Sequence, residues 1–206
     1  DWGVRPGDRV LIVGENCAAA CVVALACSRL DAWVSIVNGR LSAREVDGIV
    51  AHATPRRVIF TTHVSPEALA HAGRHGAQAV DWAGVASLHV GPLNEQAVAE
   101  PVSTDPREQV AALIYTSGTS GAPKGVMLTH ANLQVVSEIS RETRRLAPGD
   151  RVYGVLPMAH IVGLSIQFLA SLAAGATVVL APRFSPESLA AAFANGVTPF
   201  TGVPAL

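Results

Sequence analysis

A run of hydroxyls and glycines that ends in proline and a single lysine, Thr116-Ser-Gly-Thr-Ser-Gly-Ala-Pro-Lys-Gly125, holds the residue types best suited to chemistry. Glycine lets the backbone approach a ligand closely, and its N–H groups can form an anion-binding nest. The hydroxyls of Thr116, Ser117, Thr119 and Ser120 add donors, Gly118 and Gly121 give the tight path, and Lys124 adds a point positive charge for phosphate oxygens. Pro123 stiffens the loop just before the lysine by fixing its own φ. The target of such a loop is a polyphosphate. The bland alternative is a flexible Ser/Gly/Thr surface turn.

Known phosphate and nucleophile loops narrow the choice. In the pattern G-x-x-x-x-G-K-[ST], Gly118 and Lys124 keep the spacing from first glycine to lysine. Pro123 stands where the second glycine belongs, and Gly125 where the magnesium-binding hydroxyl belongs. The apolar run Val126 to Leu128 then reads as a strand, not a helix. The elbow G-x-S-x-G also fails, because Ala122 follows Ser120 where glycine is required. No G-x-G-x-x-G dinucleotide fingerprint occurs.

The contiguous run from Thr116 to Gly125, Pro-Lys-Gly included, resembles the phosphate-loop signature of the adenylate-forming superfamily. Acyl- and aryl-CoA synthetases, luciferases and the adenylation domains of peptide synthetases belong to it. In that superfamily the loop joins two strands, which fits the apolar runs at Ala111–Tyr115 and Val126–Leu128 here. The resemblance implies an α/β fold of doubly wound, mostly parallel sheets with helices on both faces, part of the large N-terminal domain of an adenylate-forming enzyme.

Composition sets bounds around this reading. The chain has 206 residues, 50% hydrophobic and 15% charged, enough to bury a sizeable core. A formal net charge of −1 and 5% aromatics give no basic footprint or stacking platform for nucleic acid. Cys17, Cys21 and Cys27 lie in an Ala/Val-rich segment and read as small buried residues of a reduced compartment. The apolar run around Ala18–Ala26 is too short to span a bilayer. These features lead to the expectation of a soluble, cytoplasmic protein. The chain begins at Asp1 without methionine and stops at Leu206 in what reads as the middle of a packed unit, so a fragment is expected.

The elements that must position the loop follow from patterning. Strands are expected at Arg9–Gly14, Trp33–Val37, Arg57–Thr61 and Ala77–Val80, alternating with helices at Cys17–Leu30, Ser42–His52 and Ser65–Arg74. Asn16 is the expected cap of the first helix, and Ser42 with Glu45 a capping box. Strand–helix alternation implies a parallel sheet with right-handed crossovers. Asn38, Arg40 and Glu45 read as a turn and a helix cap, although their order ahead of the loop also resembles the superfamily's opening. Residues 82–109 lack periodicity and read as a connector, which gives sub-domains of about 1–100 and 101–206, the second incomplete at its C-terminus. A helix from Thr129 or His130 to Arg145 is expected to turn Leu133, Val136 and Ile139 inward. Strands Arg151–Leu156 and Ala176–Ala181, a helix Ile161–Ala174 and a helix opened by Ser185-Pro-Glu-Ser188 complete the order, with a strand and turn from Val197.

Pro157-Met-Ala-His-Ile-Val-Gly-Leu164 resembles the superfamily's second landmark, in which a histidine lines the acyl-substrate pocket. Physically, a proline ends the strand and places His160 beyond its C-terminal edge, where ligands sit in open α/β sheets. The resemblance implies a ligase that uses ATP, Mg²⁺ and coenzyme A on a small-molecule carboxylic acid. Lys124 would touch the β/γ-phosphates or order the loop, and His160 and Gly163 would line the acid pocket, which takes an apolar acid. No catalytic residue and no metal ligand is assigned within the chain. The superfamily's Tyr-Gly-x-Thr-Glu motif, ribose-binding aspartate, hinge and late lysine have no counterpart here, so this piece alone is not expected to form an acyl-adenylate. The missing remainder of its own chain is then a partner; an oligomer stays open, and neither nucleic acid nor a membrane span is expected. The competing reading is a non-catalytic nucleotide-binding module or shortened homologue of the same fold. A serine amide hydrolase through Ser117 or Ser120 lacks a base named by any motif.

Overall fold

A computed structural model describes residues 2–117, 123–199 and 201–202, with Ser117 defined by its backbone alone. The chain divides into two compact units, residues 1–130 and 131–206. The expected boundary near residue 100 falls inside the first.

The first unit is built on β1 (Arg9–Gly14), β2 (Trp33–Asn38), β3 (Arg57–Phe60), β4 (Gln78–Trp82), β5 (Ala86–Val90), β6 (Val110–Ser117) and β7 (Pro123–Thr129). They form one sheet in the order β4-β5-β3-β1-β2-β6-β7. The centre, β3-β1-β2-β6, is parallel. β5 pairs antiparallel with β3, β4 with β5, and β7 with β6. Two expectations change here. The strand at Ala77–Val80 exists as β4, but it joins an antiparallel hairpin and not the parallel run. The stretch read as an aperiodic connector contains β5.

Helices α1 (Ala18–Arg29), α2 (Ala43–Ala53) and α3 (Pro66–Arg74) cover the sheet. Side chains alternate along each strand, so both faces are buried. Leu11 and Val13 of β1, with Val37, Val58 and Phe60, pack on Val46 and Ile49 of α2 and Ala68 and Ala72 of α3. Val10 and Ile59 face the opposite side and line an apolar hollow with Val23, Ala26 and Cys27 of α1. All three cysteines are buried free thiols. Burial pushes Cys21 and Cys27 up to about 12, so they are inert core residues.

Local signals account for the helix starts. Ser42 accepts from the Glu45 N–H at 3.3 Å, and its own N–H donates to Glu45 Oε2 at 2.8 Å, which closes the expected capping box. Ser65 caps α3 through the Ala68 N–H at 3.2 Å, with Pro66 in the first turn. At α1 the expectation shifts by one residue. Cys17 holds the cap position without a side-chain bond, and Asn16 is buried one step earlier, in the turn out of β1.

Four arginines fasten the N-terminal edge of this sheet. Arg5 bonds buried Asp8 at 2.8 Å and the Ala97 carbonyl at 2.9 Å. Arg9 reaches Glu100 at 2.5 Å and the Val98 carbonyl at 3.3 Å. Arg56 bonds the carbonyls of Gly3 (3.1 Å) and Asn94 (2.8 Å), and Arg57 those of Trp2 (2.7 Å) and Gly91 (2.8 Å). The coil from residue 91 to 100 is thus strapped down along its backbone.

The second unit is a βαβ arrangement. β8 (Arg151–Gly154) pairs parallel with β9 (Thr177–Leu180). The crossover between them is not a plain α-helix: Val162–Leu169 winds as a π-helix and passes into α5 (Ala170–Ala173). The Ala170 N–H accordingly reaches back five residues to the Ser165 carbonyl. On one side of the pair, Val152 packs with Leu146, Ala170 and Ala174. On the other, Tyr153 and Val155 pack with Ala192 of α6 (Pro186–Ala194), the helix expected to open at Ser185, where the structure adds a Ser185/Ser188 capping box. The Thr198 N–H bonds the Arg151 carbonyl at 3.0 Å and the Tyr153 N–H bonds the Pro199 carbonyl at 3.3 Å, so residues 198 and 199 run beside β8, although among the described residues the expected strand from Val197 is not formed.

The face buried by α4 (His130–Thr143) differs from expectation. Leu133 is buried, but Ile139 is 59% exposed, and Ser137 and Ser140 point inward instead. The reason is the π-helix. Its carbonyls take hydroxyl donors from α4: Ser137 Oγ donates to the Ser165 carbonyl at 3.3 Å and Ser140 Oγ to the Ile166 carbonyl at 3.2 Å. Arg144 adds a third bond, to the Ile166 carbonyl at 2.7 Å.

Candidate functional site

β6 and β7 form the neck of the phosphate-loop candidate. Their ladder runs from Val110↔Thr129 to Ser117↔Pro123, so five residues, 118–122, join the two strands. Gly118, Thr119, Ser120 and Gly121 lie outside the described residues. Thr116 stands directly opposite Lys124, and both are exposed. Directly opposed residues share a face, so a hydroxyl and an ammonium stand side by side at the mouth of the loop. The adjacent pair, Tyr115↔Gly125, faces the other way.

That second pair anchors the neck and was not legible in advance. A Cβ at Gly125 would lie 3.3 Å from the Tyr115 ring, so glycine leaves the ring room to lie across the strand. The Tyr115 hydroxyl meets His52 Nδ1 of α2 at 2.9 Å, and the two rings stand edge to face at 5.7 Å. Burial raises the Tyr115 pKa, so the phenol stays protonated. Tyr115→Phe is expected to cost about 0.5 kcal/mol, the low end for a half-exposed hydrogen bond, in a urea melt, with the β6–β7 ladder intact by amide exchange.

At the C-terminal ends of β1 to β3 sits a tight polar cluster. The Arg40 N–H bonds Asn38 Oδ1 at 2.9 Å, which is the expected turn. Arg40 also pairs with the buried Glu15 carboxylate at 3.1 Å, a contact no motif announces. His71 of α3 holds the same turn. Its Nε2 lies 3.1 Å from the carbonyls of Gly39 and Leu41, and its Nδ1 lies 2.9 Å from Arg74. Carbonyls only accept and guanidinium only donates, so Nε2 donates towards the two carbonyls and Nδ1 accepts from Arg74.

His160 and Gly163 lie in the second unit. The His160 N–H closes a turn onto the Pro157 carbonyl at 3.0 Å, and the Leu164 N–H bonds the His160 carbonyl at 3.0 Å. The imidazole itself is exposed. Gly163 is buried: a Cβ there would fall 2.1 Å from the Pro157 oxygen and 2.6 Å from the Leu156 oxygen. The π-helix therefore sits directly on the Leu156–Pro157 peptide. Among the described residues no three His, Cys, Asp or Glu side chains gather to hold a metal ion. No helix among them is long and apolar enough to cross a membrane.

Comparison with known proteins agrees with this frame. The pattern of the family described as "AMP-binding enzyme" matches residues 1–206. A feruloyl-CoA synthase of Amycolatopsis sp is 33% identical over 206 residues, covering 99% of this chain and 40% of that protein. The long-chain-fatty-acid–CoA ligase FadD13 of Mycobacterium tuberculosis is 29% identical over 184 residues, covering 88% of this chain and 36% of that protein. ATP-bound MatB from Rhodopseudomonas palustris aligns with a TM-score of 0.72 at 26% identity, over 99% of this chain and 41% of that one. The chain thus spans well under half the length of the relatives it matches. With a match along its entire length, this chain belongs to the AMP-binding enzyme family, whose members among its relatives include CoA ligases.

Proposed function

We propose that this chain serves the ATP-dependent activation of a carboxylic acid and its transfer to coenzyme A. The acid's carboxylate attacks the α-phosphorus of ATP, pyrophosphate leaves, and an acyl-adenylate forms. The coenzyme A thiolate then attacks the acyl carbon, and AMP leaves. Thr116, Ser117, Gly118, Thr119, Ser120 and Gly121 cradle the triphosphate, Lys124 meets its outer oxygens, and His160 and Gly163 form one wall of the acid site. Work of this kind is mostly positioning and charge stabilisation.

The observation that carries the reading is the ladder that places Thr116 opposite Lys124 at the mouth of the loop. The apolar residues Ile161 and Val162 beside His160, with relatives named for a feruloyl and a long-chain fatty acid, favour an apolar acid, aromatic or aliphatic.

The test is pyrophosphate release by the protein at the full length of its reading frame, against a panel of carboxylic acids with and without coenzyme A. Release with an apolar acid is expected, and Lys124→Ala is expected to lower it about 100-fold, the scale of losing one preorganised charge contact. ATP binding without release for every acid would move the assignment to a non-catalytic nucleotide-binding module. Equal release by wild type and Lys124→Ala would remove the loop from the chemistry.

A further inference from the structure

We infer that His52 of α2 is a positioning residue for ATP: it seats the neck of the phosphate loop and thereby sets where Thr116 and Lys124 stand. This rests on the triphosphate reading above. The neck has two faces. Thr116 and Lys124 are opposed on one of them, and both are exposed. Tyr115 and Gly125 are opposed on the other, the face that Pro123 shares two residues earlier on β7.

The second face rests on α2. The Tyr115 hydroxyl lies 2.9 Å from His52 Nδ1, and the two rings meet edge to face at 5.7 Å. One helical turn earlier, a Cβ on Gly48 would stand 3.8 Å from Pro123 Cγ, ordinary van der Waals contact. Residues four apart lie on the same side of a helix. One side of α2 therefore meets both strands of the hairpin, β6 at Tyr115 and β7 at Pro123. The hairpin needs such a seat. β7 is the last strand of the sheet, with β6 as its neighbour. β6 is in register with its inner neighbour β2 at Val34↔Ala112, well before the strand ends at Ser117. A two-stranded ribbon twists more than a wide sheet. A contact on the Tyr115 face fixes that twist, and with it the direction in which the opposite face presents Thr116 and Lys124.

The seat itself is fixed independently of the hairpin. The Ser42–Glu45 box locks the first turn of α2. Asp47, beside Gly48, bonds Arg74 of α3, and His75 Nε2 at the end of α3 lies 3.0 Å from the same carboxylate. Arg74 also donates to the Ala43 carbonyl at 3.3 Å. Val46 and Ile49 are buried against the sheet. The helix is thus held by α3 and by the core, while Gly48 and His52 carry the neck.

A pair of ligands separates positioning from general support. A protein whose binding-competent state is only partly populated binds its ligand more weakly by that fraction. Loss of the seat lowers the fraction of necks that hold Lys124 in place, so it weakens ATP. AMP has no outer phosphates for Lys124 to meet, so its affinity reports on the rest of the fold.

The experiment uses the full-length protein and measures Kd for ATP and for AMP by isothermal titration. His52→Ala is expected to raise Kd for ATP about fivefold, the scale of one exposed hydrogen bond together with one ring contact. Tyr115→Phe keeps the ring contact and is expected to raise it about twofold. Kd for AMP is expected to stay at the wild-type value in both. His52→Asn offers the phenol an amide that can donate or accept, and its Kd for ATP is expected to fall between those of His52→Ala and wild type. Tyr115→Phe added to His52→Ala is expected to change nothing further, because the phenol has already lost its partner. An unchanged Kd for ATP in His52→Ala overturns the inference. An equal rise for ATP and AMP overturns it too, as does a double variant whose effect is the product of the two singles. Failure of the functional reading is distinguishable: it appears as no ATP binding by wild type, or as a Kd for ATP that Lys124→Ala leaves unchanged.

Discussion

Gly163→Ala is expected to destabilise the second unit by about 3 kcal/mol, the upper part of the range for overpacking a core. Helix propensity alone predicts the opposite sign, a gain of about 1 kcal/mol for alanine over glycine inside a helix. The clash decides. The new methyl would lie 2.1 Å from the Pro157 oxygen and 2.5 Å from its carbonyl carbon. These are backbone atoms of the turn that ends β8, so no flexible tip can swing aside. The π-helix must lift off the strand end, and the Gln167 contact to Leu156 would stretch with it. A urea unfolding curve followed through the second unit checks this. A midpoint within experimental error of wild type would show that the helix and the Leu156–Pro157 peptide are not in direct contact. In a turnover assay the same substitution is expected to raise KM for the acid, because His160 rides on that turn.

Gly7→Ala is expected to cost about 3 kcal/mol in the first unit, the sum of a left-handed backbone for alanine and an overpacked contact. Gly7 has φ +77°. A Cβ there would fall 2.0 Å from the Glu100 oxygen. The Gly7 N–H bonds the Asp31 carbonyl at 3.0 Å, and its carbonyl accepts from the Glu100 N–H at 2.9 Å. The chain segments at residues 7, 31 and 100 therefore meet at one residue that has no side chain. The same unfolding curve measures the loss. Amide exchange at Glu100 should accelerate before exchange in β1 does, and uniform acceleration would contradict this account.

The parts of the fold legible in the sequence are those with a local physical cause. The Ser42–Glu45 box and the helix start at Ser185 lie where the sequence places them, since each satisfies helix-end N–H groups within four residues. The two runs around the Thr116–Gly125 loop are strands of one hairpin, because each is apolar and short. What was not legible depends on distant partners. β5 buries only Leu88 and Val90, too few positions to show a period. α4 shows its helical spacing plainly, but the face it buries is chosen by carbonyls of a π-helix that prefer Ser137 and Ser140 to Ile139. The π winding leaves no mark in an apolar run. Within the candidate site, Thr116, Lys124, His160 and Gly163 could be named from motif, while the Tyr115–His52 contact at the neck of the loop is announced by no spacing.

The strap of coil held by Arg5, Arg9, Arg56 and Arg57 bears on which substitutions it tolerates. Most of the guanidinium bonds end on main-chain oxygens: Gly3, Trp2, Gly91, Asn94, Ala97 and Val98. A main-chain oxygen is the same whatever residue bears it. Substitutions in the coil that keep its path therefore leave these bonds in place, whereas Glu100, whose carboxylate meets Arg9, and Asn94, whose side chain meets the Pro55 carbonyl, are held by their own side chains.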